Sequence, residues 1–198
     1  MSMDFRNRLK GSVTQTLVKA LLEDAGYRTI PLGVEEVIRE VSVLSNREYS
    51  NIELPEILRK MPDFFVADEG ISKAWLVEVK YRKVWSNQVR QKLGEQILEQ
   101  VKFWNPLFLT VLLGNSVKPD NDSPVHSIGV AKLTYERGKI VCVISDDRKH
   151  KDWSEVTWSD FMRFQDVFRG VGSKWKDKTL MKVLVTLRSL KGVDLFEE

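Results

Sequence analysis

Met61-Pro62-Asp63-Phe64-Phe65-Val66 and Leu76-Val77-Glu78-Val79-Lys80 are the two halves of the segment that decides the fold. Both halves are rich in residues that favour strands, and a turn signal, Asp68-Glu69-Gly70, lies between them. Side chains alternate along a strand. Trp75, Val77, Val79 and Tyr81 therefore form one apolar face, and Ala74, Leu76, Glu78 and Lys80 form the other. Glu78 and Lys80 share a face, roughly 6–7 Å apart. If the turn centres near Gly70 and Ile71, antiparallel partners have numbers summing to about 141, which sets Asp63 opposite Glu78, with a cross-strand separation of roughly 5 Å. Two carboxylates and an ammonium are thus expected to converge at the open end of a hairpin.

Working outward, residues 12–25 read as an amphipathic helix. Val13, Leu17 and Leu21 make one apolar row, Val18, Leu22 and Ala25 its neighbour, and Gly26 is the stop. Residues 27–32 suit a short strand, 34–44 a second helix and 54–60 a helical turn. Phe64 to Ala67 and Lys73 to Tyr81 are the hairpin strands. Ser86 is placed to cap a helix running to about Trp104, with Val89, Leu93, Ile97, Gln100 or Val101 and Trp104 along one side. Leu107 to Leu113 is a continuous apolar run, as expected of a buried central strand. Residues 125–135 and 139–145 suit two strands joined by Glu136-Arg137-Gly138, and residues 158–168 and 178–190 suit helices. The expected fold is α/β: a central mixed β-sheet flanked by helices. The whole chain, 1–198, reads as one domain, with a core over about 11–145 and a C-terminal helical extension over about 155–192.

Charge is uneven along the chain. The net charge is only +3, yet Lys73 to Lys92 holds six basic residues against Glu78 alone. Seven basic residues against Asp177 lie between Arg169 and Lys191, and six glutamates between Val34 and Glu56 face only two arginines. Clustered basic charge attracts phosphate backbones, whereas on a helix face it also serves solvation. No apolar run reaches the roughly 18 residues needed to span a membrane, so no membrane partner is expected. The first ten residues lack the apolar core of a secretory signal, and cytoplasmic location is the default expectation. Cys142 is the only cysteine and sits in an apolar strand pattern, which points to a packed thiol rather than a nucleophile. His126 and His150 are the only histidines, which leaves a zinc site with several Cys or His ligands without support. Neither a phosphate-cradling Gly-rich loop with Lys-Ser/Thr nor Gly-x-Ser-x-Gly occurs.

Two close carboxylates make a hard oxygen site suited to Mg²⁺. A cation so held can polarise a phosphodiester, help to ionise water and stabilise a leaving oxygen. The carbonyl of Val79 is a candidate further ligand. Lys80 can orient or deprotonate the attacking water, or balance phosphate charge.

With Pro62-Asp63 and Glu78-Val79-Lys80 in a strand-turn-strand context, the chain resembles the PD-(D/E)xK nuclease superfamily, which includes restriction endonucleases and archaeal Holliday-junction resolvases. Gln15 to Tyr27 also resembles the first helix of the resolvase-like members, and the resemblance covers about residues 11–113. It implies a restriction-endonuclease-like core and a metal-dependent endodeoxyribonuclease acting on DNA with Mg²⁺, for which Mn²⁺ can substitute. Asp63, Glu78 and Lys80 would be catalytic, with Asp63, Glu78 and Val79 at the metal. Gln15 stands where those members often carry a glutamate, and would be an auxiliary polar group. Arg82, Lys83, Arg90, Lys92, Gln96 and Gln100 are the candidate nucleic-acid contacts. Gln100 with Trp104 faintly echoes the Gln-x-x-x-Tyr of recombination nucleases, although Trp104 alone reads as core packing. Dimers are common in the superfamily, so a homodimer is one state the resemblance implies. Two other readings remain: an inactive DNA-binding or assembly subunit, and a transposon-end or junction nuclease that needs a partner. The short motif is weak by itself, since Pro119-Asp120 with Asp147-Arg148-Lys149 spells it too, in a polar loop context.

Overall fold

A computed structural model describes residues 3–34, 38, 44, 46–114, 127–144 and 149–174. Helix α1 spans Met3–Asp24 and is followed by strand β1, Arg28–Pro31. Two short helices, α2 (Asn46–Asn51) and α3 (Glu56–Arg59), precede the hairpin of β2 (Phe64–Ala67) and β3 (Ala74–Arg82). Helix α4 (Asn87–Phe103) leads to β4 (Leu107–Leu113). Strands β5 (Ile128–Glu136), β6 (Lys139–Ile144) and β7 (Lys149–Asp152) follow. Two 3-10 turns, Trp153–Glu155 and Trp158–Asp160, lead to β8 (Met162–Arg163) and the short helices α5 (Phe164–Val167) and α6 (Arg169–Lys174).

The sheet is open, mixed and mostly antiparallel. Its strands lie in the order β1 to β7, and β8 pairs with β5. Among the described residues only the β3–β4 pair is parallel. Parallel neighbours need a crossover, and α4 supplies it. Ser86 caps α4 by accepting a hydrogen bond from the Val89 N–H, and the helix ends at Trp104, as its sequence signals indicate.

Helices cover both faces of the sheet. Leu17, Val18 and Leu22 of α1 pack with Phe168 against Val77 and Val79 of β3. On the other face, Leu93, Ile97 and Val101 of α4 pack against Leu107, Leu109 and Val111 of β4 and Leu133 of β5. The alternation of β4 divides its apolar side chains between the two layers, so the run is buried apart from half-buried Phe108. Tyr27, Trp75 and Phe168 meet edge to face, with centroids 5.4–5.7 Å apart, and tie β3 and the residue preceding β1 to the end of α5. Cys142 is fully buried, and burial with the nearby Asp160 carboxylate pushes its thiol up to about 12, against the opposing pull of Lys151. Among the described residues no helix is long and apolar enough to cross a membrane.

The hairpin register follows the alternation argument. Phe64 pairs with Val77, Phe65 with Leu76, Val66 with Trp75 and Ala67 with Ala74. One further step on the same register sets Asp63 opposite Glu78. Asp68 builds the turn. Its carboxylate accepts from the Ser72 hydroxyl at 2.5 Å and from the N–H groups of Ser72 and Lys73 at 2.7 and 3.1 Å. These bonds, the Ser72 hydroxyl first, hold its pKa below the ordinary carboxylate value.

Two expectations change. Helix α1 begins at Met3 rather than Ser12. It ends as expected at Gly26, whose φ is +86°, with Tyr27 N–H bonded to Leu22 O and Gly26 N–H to Glu23 O, each at 3.0 Å. Residues 158–168 are not one helix but a 3-10 turn, a strand and a four-residue helix, so the described part of the expected extension, 155–174, is helical only in short pieces. The reason is tertiary. Trp158 and Phe161 pack onto Trp85, with centroids 6.0 and 4.9 Å away, and Arg163 pairs with Gly129 on the edge of β5. A Cβ at Gly129 would lie 2.8 Å from the Trp158 ring and 2.9 Å from Phe161 Cβ. The aromatic spacing that suggests a helix is equally met by this turn. The expected helix at 178–190, most of that at 34–44 and all of the second copy of the motif except Lys149 lie outside the described residues.

Ile71 adopts φ +54° in the hairpin turn and is 59% exposed, so a β-branched residue sits in the left-handed region without burial to offset it. Ile71→Asn is expected to raise the unfolding free energy by about 1 kcal/mol in urea titration. An unchanged or lower midpoint would contradict a strained turn.

Candidate functional site

The site forms where β2 stops and β3 continues. Strand β2 begins at Phe64, while β3 stays paired with β4 as far as Arg82 and Leu113. Residues 78–82 therefore run past the end of β2. The Val79 N–H, on that vacated side, is taken by the Asp63 side chain, whose Oδ2 accepts it at 2.7 Å. The Asp63 carbonyl accepts from Leu32 N–H at 2.9 Å, which carries the β1–β2 pairing up to the same point.

Each carboxylate is held by a glutamine from a different helix layer. Gln15 of α1 donates its amide to Asp63 Oδ1 at 2.7 Å. Gln100 of α4 donates to Glu78 Oε2 at 2.7 Å and to the Met61 carbonyl at 3.2 Å. The ammonium of Lys80 donates to Glu78 Oε1. Glu78 is only 4% exposed and Gln100 6%. A carboxylate buried that deeply persists as a charge only when donors and an opposite charge meet it. Burial alone would lower the Lys80 pKa, but the carboxylates of Glu78 and Asp63 outweigh it and hold the ammonium above its ordinary value. Lys80 is therefore a cation at neutral pH.

Gln15, Asp63, Glu78, Val79 and Lys80, expected together, lie together. Val79 contributes its N–H to Asp63 and a side chain buried in the α1-side core. The Gln100 amide is spent on Glu78 and Met61, inside the protein rather than on an exposed face. Gln100, expected among the nucleic-acid contacts, thus has its side-chain amide turned to the Glu78 carboxylate and the Met61 carbonyl. Its position among Leu93, Ile97, Val101 and Trp104 was the signal, since a buried amide needs partners. One helical turn away, exposed Gln96 accepts from Arg82 Nη2 at 2.8 Å, and Arg82 Nη1 donates to the Tyr81 carbonyl at 2.7 Å. Burial lowers the Arg82 pKa. Lys83 and Lys92 are exposed. Arg90 stands apart: ten residues along α4 place it about 15 Å from Gln100. Its guanidinium donates to the Val156 carbonyl at 3.1 Å, and its own carbonyl accepts from Trp153 Nε1 at 3.0 Å, which ties it to the C-terminal segment.

The donor set suits a hard cation. A carboxylate offers roughly four lone-pair positions, and the bonds described take two on Glu78 and at least two on Asp63. Among the described residues no group of three or more His, Cys, Asp or Glu side chains gathers for a metal. Mg²⁺ commonly uses one or two carboxylates and completes its shell with waters and substrate phosphates, so two carboxylates meet its need. No protein-family model matches the chain, and neither a curated protein nor a solved structure does.

Replacing Gln100 tests the clamp. Gln100→Leu removes a donor from a buried carboxylate and should cost about 2 kcal/mol in urea unfolding. Gln100→Glu sets a second carboxyl against Glu78. Repulsion and burial raise the pKa of that pair in the folded state, so the loss should be small near pH 5 and grow as pH rises towards 8. A pH-independent loss would contradict contact between positions 78 and 100.

Proposed function

We propose that the chain is a metal-dependent endodeoxyribonuclease of the PD-(D/E)xK type, built on a restriction-endonuclease-like core. The observation that carries this reading is the convergence of Asp63, Glu78 and Lys80 on one hairpin, with one carboxylate buried and both braced by amides. Carboxylates spaced for mutual repulsion have little structural use at a strand end, whereas a divalent cation gives them one.

In this reading Asp63 and Glu78 hold Mg²⁺, or Mn²⁺ in its place, and Val79 offers its carbonyl. The cation supplies Lewis acidity towards the phosphodiester and lowers the pKa of water. Lys80, charged in the free protein, donates to the attacking water or to a phosphate oxygen. Were Glu78 engaged by a cation instead, Lys80 would lose part of what holds its pKa up and could serve as a base. Gln100 keeps Glu78 from turning out of line and fixes its distance from the Met61-Pro62-Asp63 backbone. A half-turn of the Gln15 amide would present oxygen instead of NH₂, making it a neutral ligand where resolvase-like relatives often have glutamate. Arg82 and Gln96, beside Lys80 on the strand and helix, are the nearest of the proposed contacts to DNA, and Lys83 and Lys92 add charge.

One observation favours a second reading, an inactive DNA-binding or assembly subunit: every oxygen of both carboxylates already has a donor within the chain. Cleavage separates the two. Linear, branched, single-stranded and plasmid DNA incubated with Mg²⁺ or Mn²⁺ should yield cleavage of at least one substrate. Asp63→Ala and Lys80→Ala should each reduce the rate by at least about a hundredfold while the protein stays folded. Undiminished cleavage by purified Asp63→Ala would remove the assignment.

A further inference from the structure

A cleft of about 230 Å³ opens between α1 and the β1–β2 end of the sheet, directly beside Asp63. Its α1 wall is a polar stripe of Ser12, Gln15, Thr16 and Lys19, and Asp63 and Phe64 close the inner end. The apolar side of the same helix, Leu17, Val18 and Leu22, is buried in the core, so this stripe is the side of α1 left to solvent and cleft. Ser12 and Thr16 are exposed, and Gln15 and Lys19 are half-buried.

The polar groups are graded by charge. At the inner end the Asp63 carboxylate is engaged by Gln15 and by Val79 N–H. At the mouth stands the Lys19 ammonium, in a long 3.8 Å pair with Glu23, in which the two side chains are 38% and 49% exposed. An exposed pair of that kind contributes little, so Lys19 can turn to another anion at small cost. A free anion would meet the negative charge of Asp63 deep in the cleft. A strand that places one phosphate at the mouth and the next at a cation on Asp63 and Glu78 satisfies both ends. Lys19 lies four residues beyond Gln15, about 6 Å along the helix axis, which is of the order of one nucleotide step.

We infer that this cleft seats the phosphodiester next to the one presented to Asp63 and Glu78, with Lys19 as its charge partner and Ser12 and Thr16 as hydroxyl donors. The inference rests on the nuclease reading and adds a strand path over α1, on the layer opposite α4. Phosphate contacts fix register rather than sequence, so Lys19 is a positioning residue for the strand and stands outside the bond-breaking group.

The test is equilibrium binding of a short labelled duplex by the full chain, with Ca²⁺ in place of Mg²⁺, between about 50 and 200 mM salt. Lys19→Ala should weaken binding by about three- to tenfold and reduce the slope of log K against log salt by about 1. Lys19→Arg should retain the wild-type slope. Thr16→Glu, which adds a carboxylate at the cleft, should weaken binding at least as much as Lys19→Ala. Lys149→Ala, an exposed lysine on β7, should leave binding unchanged. Wild-type slopes for both Lys19→Ala and Thr16→Glu would overturn the inference. The same duplex with Mg²⁺ separates the two levels. Cleavage by the wild type with an unchanged Lys19→Ala slope overturns the strand seat alone. Lys19-dependent binding, with no cleavage of this duplex or of the linear, branched, single-stranded and plasmid DNA in Mg²⁺ or Mn²⁺, supports a strand path over α1 and removes the nuclease reading.

Discussion

Glu78 carries a carboxylate at 4% exposure in the middle of a sheet strand, flanked by Val77 and Val79 at 0% and 3%. Placing such a group there without partners would cost several kcal/mol. Lys80 and Gln100 are its partners, and they constrain more than Glu78 itself. Gln100 also grips the Met61 carbonyl, so a single amide joins α4, β3 and the entry to β2. Gln15 makes the corresponding link from α1 to Asp63. The two helix layers are thus each pinned to the end of the hairpin through an amide and a carboxylate. The spacing of α1 and α4 across the sheet and the spacing of the two acids are set together.

The cost of this arrangement argues for use rather than stability. A buried ion pair seldom stabilises more than an apolar replacement of similar volume. The local chain would form its hairpin equally well with apolar residues at 78 and 80, since Val77, Val79 and Trp75 already pack on the α1 side. In the free protein Lys80 pairs with Glu78 and offsets one of the two acidic charges. One of the two negative charges is therefore offset before any ligand arrives, and a cation at Glu78 would have to displace or reorient an ammonium.

Much of this geometry was legible from the residues. Strand alternation and the Asp68–Gly70 turn suffice for the register, because a slip of one residue would turn Trp75, Val77 and Val79 out of the core. Ser86 and the apolar spacing after it define α4, and the run at 107–113 defines β4. Two features depend on contacts that no local pattern encodes. Residues 158–168 have helical spacing, but Trp85, more than 70 residues earlier, organises them into a turn and a strand. Gln100 could be placed on the buried side of α4, yet its partners, Glu78 and Met61, lie 22 and 39 residues away in sequence. A polar residue within an apolar stripe announces that a partner exists without naming it. The long-range aromatic contacts and the long-range amide bonds escape sequence reading for the same reason.

The central claim is that Asp63 and Glu78 together hold a divalent cation. Titration of the full chain with Mn²⁺, followed by electron paramagnetic resonance of the free ion, addresses it without any assumption about substrate. The account predicts saturable loss of the free Mn²⁺ signal by wild-type protein, greatly weakened in folded Glu78→Gln and Asp63→Asn. Equal Mn²⁺ uptake by all three proteins, or none by the wild type, would contradict it.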